Sequence, residues 1–567
     1  MGDNFTTTEP HWQELVATHR KLQKSRIPQE WHLSESQLAE LTRADNEESR
    51  GVDLITTKAA QQANVLSAKE IEITESYTAT ELLSQLAAGT LSSVEVTTAF
   101  CKRAAIAQQL TSCLTEIFFN RAIQTAQELD AYFKAEGKVK GPFHGLPISM
   151  KDSFIVDGHH ATVGYSEFLR RPLPTEQSTL VNLLQDAGAV LYCKTNVPQT
   201  MMTADSENNV FGRTLNPNNT SLTAGGSTGG EGALIAFRGS PLGVGTDIAG
   251  SIRIPSLCCG TYGFKPTANR IPFSNQSYCP FPRERMPDGV PPVAGPIGHS
   301  IDDLTAFMQI VAAQNPWKYD PSCMPIPWNT ANQFSSRPLR IGVLPEDSEY
   351  TLQPPVRRAL TDAVAKLEGA GHNIIHLAED DSRSIGLGAR IAFASYAAGQ
   401  PSHETLAQEM GEPLVNSLAK GVHPFMKHPP PVTREMSLIE TVAALSAARD
   451  AYAGSWHKTW VHHDLDVVLA PGAQHTAVPH DDYGVPAYTC AWNVIDYPAC
   501  IVPYGRASAK SDPDVVPATA AFDPDYNPAA VDGAPCAVQI IAPRLQDEQC
   551  LAAAKIIDSV LNPKAGL

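Results

Sequence analysis

Residues 224–255 read AGGSTGGEGALIAFRGSPLGVGTDIAGSIRIP, two glycine-rich turns that contain Ser227, Ser240 and Ser251. Ser227 stands within Gly-Gly-Ser-Thr-Gly, which fits the G-x-S-x-G pattern of a nucleophile elbow. An elbow needs an apolar strand that enters the serine and a helix that leaves it. The residues that follow can form a helix, but the preceding NPNNTSLTAGG is polar and typical of a turn. The pattern therefore argues against an elbow at Ser227.

A phosphate-binding loop is the second candidate for the same glycines. The lysine of G-x-x-x-x-G-K-[ST] is missing, and the carboxylate of Glu231 would repel a triphosphate. Both the P-loop and the dinucleotide-binding fingerprint are thereby excluded.

The second turn, GVGTDIAGSIRIP, offers a third interpretation. Successive backbone N–H groups from Ile248 to Ser251 can line a concavity that binds a developing oxyanion, which acyl transfer requires. The hydroxyl of Ser251 would then lie close to the bound carbonyl carbon. Such a serine needs a base, and none of the seventeen histidines lies in either glycine-rich turn.

Lys151, in GLPISMKDS, is the alternative base. It follows an apolar run, so its amine is expected near the interior, where burial penalises the charged form and lowers the pKa. A neutral amine near pH 7 can accept a proton from a nucleophile. The competing interpretation is a salt bridge, here with Asp152.

From about residue 145 onward, short apolar strands alternate with helices. STLVNLLQDAGAVLYCKTN predicts a helix, a stop at Gly188 and a buried strand, and the pattern repeats from LRIGVLP through a helix to NIIHLA. Pro354 and Pro355 suit the start of that later helix, and Gly369 and Gly371 suit its end. LPISMKDSFIV, LDVVLAP and ACIVPYG predict further strands. This alternation predicts an α/β fold layered around a mixed sheet.

Residues 1–70 are polar and helix-prone, and they predict an N-terminal helical arm that packs on a body formed by residues 71–567. One face of the first helix of the arm holds Trp12, Leu15, Val16 and His19. The capping-box patterns Thr78–Glu81 and Ser92–Glu95 start two further helices, and Gly89 suits the end of the first.

The composition excludes several classes of partner. The chain has 567 residues and a formal net charge of −17, which argues against a nucleic-acid backbone or an anionic membrane. No stretch approaches 18 consecutive apolar residues, so no membrane-spanning helix is expected. The N-terminus lacks the apolar segment of a secretory signal. The eleven scattered cysteines, with no C-x-x-C pair, indicate a reducing compartment, and a cytoplasmic location is expected.

Four motifs stand in order along the chain, GLPISMKD, GGSTGGEGALI, GTDIAGSIRIPS and CGTYGFKPT, and GAPCAVQIIAPRLQDEQCLAAA follows late. Together they resemble the amidase signature family of Ser-Ser-Lys hydrolases, over about residues 70 to 560. LAAGTLSSVEVTTAFCKRAAIAQQL and NPWKYD are most like fungal acetamidase-type members, and the central block is also similar to fatty acid amide hydrolase. The resemblance implies the amidase signature fold, a central mixed β-sheet covered by helices on both faces, with residues 71–567 as the catalytic domain.

The resemblance also implies roles for single residues. Ser251 matches the nucleophile that forms the acyl-enzyme, Ser227 the bridging serine that follows a cis peptide bond, and Lys151 the general base. Protons would pass from Ser251 through Ser227 to Lys151, so Ser227 relays and does not attack. Met201 falls at a position whose backbone contacts substrate in related enzymes. The N–H groups that match the oxyanion hole belong to Ile248, Ala249, Gly250 and Ser251.

Two positions depart from the family pattern. Thr228 replaces a second serine, and its hydroxyl can still donate and accept a hydrogen bond although its β-branch is bulkier. Ala249 replaces a glycine that is common in the oxyanion turn, and an alanine would be strained there if the position needs a positive φ. Asp247 and Arg253 flank Ser251 and are predicted to brace the turn.

The resemblance implies a serine amidase that hydrolyses linear carboxylic acid amides to carboxylate and amine or ammonia. A small-molecule amide is then its partner, no metal or cofactor is needed, and a homodimer is compatible with the family. Three alternatives stay open: a hydrolase of long-chain or aryl amides, carbamates or esters; the ammonia-producing subunit of a tRNA-dependent amidotransferase; and a non-catalytic binding relative.

Two other stretches carry weaker signals. CAWNVIDYPACIVP, at residues 490–503, is aromatic and apolar. The resemblance implies that this segment lies close to the substrate, and plain sheet core is an equally good interpretation. The proline-rich residues 421–433 predict a surface loop. A histidine-rich stretch lacks the spacing of a zinc protease, so its members are expected in loops or on the surface rather than at a metal. They are His462, His463, His475 and His480.

Overall fold

The structure of the protein is a computed structural model. It describes residues 11–43, 51–278, 289–330, 334, 337–398, 403–419, 431–433, 435–516 and 524–563. The surface loop predicted at residues 421–433 lies outside them except for its last three residues.

Helices and strands alternate through most of the described chain. The helices are α1 Trp12–Ser25, α2 Glu35–Leu41, α3 Ala59–Gln62, α4 Ala68–Ser76, α5 Ala79–Ala87, α6 Ser93–Thr111, α7 Phe119–Glu136, α8 Thr179–Asp186, α9 Gly229–Ala236, α10 Arg253–Cys259, α11 Ile301–Ala313, α12 Pro354–Gly369, α13 Ile385–Ala397, α14 His403–Met410, α15 Asn416–Ala419, α16 Leu438–His463, α17 Ala487–Val494 and α18 Asp547–Leu561. The strands are β1 Leu114–Ile117, β2 Pro147–Lys151, β3 Val190–Thr195, β4 Glu207–Asn208, β5 Gly212–Arg213, β6 Leu215–Asn216, β7 Asn219–Thr223, β8 Leu242–Asp247, β9 Tyr262–Lys265, β10 Val293–Gly298, β11 Arg340–Val343, β12 Asn373–His376, β13 Val467–Pro471, β14 Ala499–Arg506 and β15 Pro535–Ile541.

One 11-stranded sheet organises the molecule, in the order β1-β3-β2-β8-β10-β9-β14-β15-β13-β11-β12. The pairs β3–β2, β2–β8, β13–β11 and β11–β12 are parallel. The remaining neighbours are antiparallel. The sheet is therefore mixed, which confirms the predicted fold class.

Apolar side chains cover both faces of this sheet. Successive residues of a strand point to opposite faces. Accordingly Val190 and Tyr192 of β3 belong to one buried apolar cluster, whereas Leu191 belongs to the other. Helices pack over both faces, as the resemblance implied.

The predicted helix ends are confirmed. Thr78 and Ser92 each form a complete capping box, at the starts of α5 and α6. Gly89 follows α5 with φ +68°. Pro354 and Pro355 begin α12, and Gly371 just beyond it has φ +88°.

The described part of the arm starts with an amphipathic helix, as predicted. In α1, Val16 and His19 are buried, and Trp12 and Leu15 are half-buried on the same side. Gln23 Nε2 donates to the Leu114 and Thr115 carbonyls of β1 at 2.9 and 2.8 Å. The first helix thus lies against the edge strand of the sheet.

Candidate active site

Two neighbouring parallel strands end at the candidate site. β2 and β8 pair in parallel, with Ser149 opposite Gly243. Since the carboxyl ends of parallel strands meet at one edge of a sheet, Lys151 at the end of β2 and the turn that follows β8 come together there. The glycine-serine turn at residues 225–228 leads into α9 beside them.

Lys151 is buried, with 1% of its surface exposed. Its Nζ donates to Ser227 Oγ at 2.8 Å and to Thr246 Oγ1 at 2.6 Å. Burial lowers the pKa of Lys151 to about 7, although the negative charge of Asp247 acts in the opposite direction. A buried amine of this kind can be neutral near pH 7.

Asp152, which the sequence offered as a salt-bridge partner of Lys151, faces another lysine. Its Oδ1 lies 3.3 Å from Lys194 Nζ and accepts a hydrogen bond from Thr115 at 2.7 Å. Its Oδ2 accepts the Val163 N–H at 2.8 Å. The salt-bridge interpretation of Lys151 is therefore wrong.

The glycine-serine turn is shaped by close backbone approach. The Gly226–Ser227 peptide bond is cis, as the resemblance implied. Gly225 has φ +77°, and a Cβ there would meet Pro255 backbone atoms at 2.9 Å. A Cβ on Gly226 would lie 2.3 Å from the Thr203 carbonyl oxygen. Both positions therefore require glycine.

The residues before Ser227 are more ordered than the sequence predicted. β6 and β7 form a two-stranded hairpin that is separate from the main sheet. β7 ends at Thr223, and α9 begins only at Gly229. Ser227 thus does not stand between a strand of the main sheet and a helix, so it lacks the setting of an elbow. Thr228, next to it, is buried and donates to the Thr246 carbonyl at 3.3 Å.

Ser251 lies on the turn between β8 and α10 and is 7% exposed. Gly250 has φ +121°, and a Cβ there would lie 2.2 Å from Thr489 Oγ1, so this position requires glycine. The φ of Ala249 is not positive. An alanine therefore fits this position of the turn without the backbone strain that a positive φ would have caused.

Asp247 and Arg253 form a fully buried ion pair beneath the turn. The guanidinium Nε and Nη2 donate to the two carboxylate oxygens at 3.0 and 3.1 Å, and Nη2 also donates to Asn493 Oδ1 at 2.6 Å. Asp247 further accepts the N–H groups of Gly250 at 2.8 Å and Ile252 at 3.2 Å. Burial alone would raise the pKa of Asp247, but the charge of Arg253 holds it well below its usual range. The charged carboxylate thus ties the turn to the end of β8.

Most backbone N–H groups of the turn make no hydrogen bond within the described residues. In the described part of the chain, nothing accepts the N–H groups of Ile248, Ala249 and Ser251. The fourth predicted donor, the N–H of Gly250, is bonded to Asp247 instead. Three of the four predicted donors therefore have no hydrogen-bond acceptor among the described residues.

Sequence reasoning missed two polar residues of the site. Thr246 accepts a hydrogen bond from Lys151, and no sequence signal marked it. Glu231 of α9 is fully buried and accepts hydrogen bonds from Ser149 at 2.5 Å and Thr195 at 2.9 Å. Burial raises the pKa of Glu231 to about 8. The apolar residues around it in GGSTGGEGALI could have identified it as a buried carboxyl.

Met201 precedes the segment that contacts the glycine-serine turn. It ends the short 3-10 helix Gln199–Met201 with φ +59° and packs against an apolar cluster. The cluster consists of Val163, Tyr165, Phe168 and Leu406. Two residues later, the carbonyl of Thr203 touches the glycine-serine turn at Gly226. Contact of Met201 with substrate stays a prediction.

The stretch at 490–503 forms most of α17 and the start of β14, and it is buried. Asn493 reaches the buried carboxylate of Asp247 at 2.9 Å. Thr489, one residue before the stretch, donates to the Ala249 carbonyl at 2.7 Å. The segment is thus core that also borders the site.

The four histidines of the histidine-rich stretch are dispersed. His462 and His463 end α16, and His480 lies 3.3 Å from Asp205. His475 lies in the loop after β13, as expected, and is buried there. Across the described residues, no three His, Cys, Asp or Glu side chains are grouped as a metal site. The described helices also include none with the length and apolarity needed to span a bilayer.

Comparison with known proteins agrees with these observations. The Amidase family model matches residues 95–551. An amidase of Gibberella moniliformis is 38% identical over 98% of this chain and 99% of its own length. An acetamidase of Emericella nidulans is 36% identical over 97% of this chain and 99% of its own length.

A solved structure extends the similarity to three dimensions. Fatty acid amide hydrolase matches with a TM-score of 0.85 and 29% identity, over 97% of this chain and 95% of that chain. Family model, relatives and fold agree, and the chain belongs to the amidase signature family, as a hydrolase that acts on amides.

Proposed function

We propose that the protein is a serine amidase that hydrolyses linear carboxylic acid amides through an acyl-enzyme on Ser251. Ser251 Oγ attacks the acyl carbon, and its proton passes through Ser227 to the neutral amine of Lys151. The C–N bond breaks as the proton returns along the same path to the leaving nitrogen. Water then attacks the acyl-enzyme ester, which releases the carboxylate and restores Ser251.

One observation carries this proposal: a fully buried lysine amine lies 2.8 Å from the hydroxyl of Ser227. A lysine in water is protonated at pH 7 and cannot serve as a base. Burial lowers the pKa of Lys151 to about 7, so a large fraction of the amine is neutral at physiological pH. Ser227 stands next to it as the hydroxyl that passes the proton on.

The oxyanion of the tetrahedral intermediate is assigned to the turn after β8. The N–H groups of Ile248, Ala249 and Ser251 are the donors, and Gly250 contributes the backbone conformation that brings them together. Asp247 and Arg253 keep the turn in place, and they touch no reacting atom. Thr228 supports the Ser227 turn, and the backbone of Met201 is proposed to line the substrate channel.

The identity of the nucleophile is tested by covalent labelling. A fluorophosphonate probe should attach to Ser251, as located by mass spectrometry of the digested protein. Ser251→Ala is the matched control and should not be labelled. An adduct on Ser227 would overturn the assignment of the two serines.

The choice of linear amides rests on two relatives whose names are amidase and acetamidase. A series of acyl amides from two to more than eight carbons, with anilides, carbamates and esters of the same acyl groups, tests it. We expect kcat/KM to peak among short linear amides. A maximum among long-chain or aryl substrates, or among carbamates or esters, would favour the broader hydrolase. Turnover of glutamine only with a partner subunit would indicate an amidotransferase component.

We assign the chemistry to residues 71–567 and a packing role to the arm at residues 1–70. We also propose a reducing location, the cytoplasm, because the ten cysteines of the described residues are all free and buried. A homodimer is part of the proposal and is tested by light scattering.

A further inference from the structure

Two side-chain hydroxyls hold consecutive carbonyl groups of the turn after β8. The carbonyl of Ile248 accepts a hydrogen bond from the Tyr396 hydroxyl at 2.5 Å. The carbonyl of Ala249 accepts one from Thr489 Oγ1 at 2.7 Å. Neither hydroxyl was marked by the sequence, because each comes from a segment remote in the chain.

These contacts determine where the N–H groups of the turn point. A trans peptide group is planar, so its N–H is directed away from its C=O. By fixing the Ile248 carbonyl, Tyr396 therefore fixes the direction of the Ala249 N–H. Thr489 acts on the next peptide group, whose N–H, that of Gly250, donates to Asp247 at 2.8 Å.

The third peptide group is fixed by the helix that follows. The carbonyl of Gly250 accepts the N–H of Ile254 at 2.7 Å in the first turn of α10. The N–H of Ser251 consequently points to the opposite side. The N–H groups of Ala249 and Ser251 thus have defined directions. That of Ser251 is set by the backbone, whereas that of Ala249 is set by the hydroxyl of Tyr396.

Tyr396 is supported by the packing of α13. It lies in the last turn of α13, and its ring meets Phe393 edge-on with centroids 5.7 Å apart. α13 packs closely on α17, where a Cβ on Gly388 would lie 2.8 Å from the Ala491 Cβ. The two hydroxyls that hold the turn therefore come from two helices that pack directly on each other.

We propose that Tyr396 is a positioning residue for the amide hydrolysis: its hydroxyl holds the Ile248 carbonyl and thereby aims the Ala249 N–H at the oxyanion that forms on the substrate. The inference rests on the proposed function. Donors that are oriented before the reaction stabilise developing charge without reorganisation, and loss of one oxyanion donor costs a factor of about 100 to 1,000 in kcat. Tyr396 acts indirectly. Without its hydroxyl, the Ala249 N–H is still present, and only the constraint on its direction is lost.

The test compares Tyr396→Phe with Tyr526→Phe, on the full chain. Tyr526 is the matched control, since its buried hydroxyl also donates to a backbone carbonyl, that of Asp512, at 2.8 Å. For Tyr396→Phe we expect kcat to fall about tenfold while KM stays within about twofold, because the contact acts on transition-state charge. The affinity for a trifluoromethyl ketone analogue of the substrate should fall by the same factor. The control should change none of these values.

Two results would overturn the inference. One is a kcat of Tyr396→Phe within about twofold of the wild type, and the other is unchanged affinity for the trifluoromethyl ketone. If the phenylalanine variant does not fold, Tyr396→Leu, which also lacks the hydroxyl, is subject to the same two criteria. Failure of the proposed function is distinguishable, because the wild-type chain would then hydrolyse no amide or would not be labelled at Ser251.

Discussion

The buried amine of Lys151 gives the proposed reaction its pH dependence. Its pKa is lowered to about 7 by burial, and the ammonium form present below that pH cannot accept a proton. We therefore expect kcat/KM to be level above pH 7 and to fall about tenfold for each pH unit below it. Initial rates between about pH 5 and pH 9 measure this limb. Activity that stayed level down to about pH 4 would contradict a neutral-lysine mechanism.

The buried ion pair of Asp247 and Arg253 beneath Ser251 is expected to stabilise the folded protein. Asp247→Asn would leave the guanidinium of Arg253 buried without its counter-charge. We expect the free energy of unfolding to fall by about 3–5 kcal/mol, the cost of removing one partner of a buried pair. Urea unfolding at pH 7 measures the difference.

Asp302→Asn is the control for the buried pair. Asp302 pairs with Lys555, and the two side chains are 52% and 63% exposed. Such a pair contributes at most about 1 kcal/mol. If the free energy of unfolding fell equally in the two variants, the buried charge of Arg253 would not be stabilised by Asp247.

Three residues of the candidate site were predicted from the motifs that contain them. Lys151, Ser227 and Ser251 belong to three short motifs that the sequence displays directly, and the structure brings the first two within 2.8 Å. Tyr396 could not be predicted, because 148 residues separate it from Ile248 and a tyrosine in a helix carries no local signal. A contact of that kind is created by tertiary packing alone.

Among the elements, the start of α6 offers the sharpest test of helix capping. Besides its capping box, the N–H groups of Ser93 and Val94 donate to the Asp130 carboxylate of α7 at 2.7 and 3.1 Å. Since Asp130→Ala would leave these two partly buried donors without their acceptor, we expect the free energy of unfolding to fall by about 1–2 kcal/mol. Glu128→Ala, on the exposed side of α7, should change it by less than about 0.5 kcal/mol. Indistinguishable thermal midpoints of the two variants would mean that the capping box alone starts α6.

The same elements show how far sequence reasoning extends. Helix starts at Thr78 and Ser92 were predictable because a capping box is contained within four residues. The order of strands in the sheet was not, because partners such as Phe264 and Cys500 are far apart in the chain. The hairpin of β6 and β7 was also missed, since its polar residues are typical of a turn.

For the whole molecule, the N-terminal arm is joined to the body by a shared core. Ile27 and Trp31 belong to the same apolar cluster as Phe119 of α7. That cluster extends to Ala224 and Ile254, beside the two turns that carry the serines. The cluster is supplemented by polar contacts, in which Arg26 and His19 meet the buried carboxylate of Glu116. Arm and body are therefore expected to unfold together.

Trp31 provides the decisive variant for this expectation. It is 6% exposed, and its ring lies 5.9 Å from that of Phe119. Because Trp31→Ala opens a cavity in the shared core, the free energy of unfolding should fall by about 3–5 kcal/mol. Circular dichroism and fluorophosphonate labelling of Ser251, followed with rising urea, should lose signal at the same lowered midpoint. Leu22→Ala, at a 46% exposed position of α1, should leave that midpoint nearly unchanged. An arm that unfolds by itself would instead give two transitions by circular dichroism, with the labelling midpoint of Trp31→Ala equal to that of the wild type.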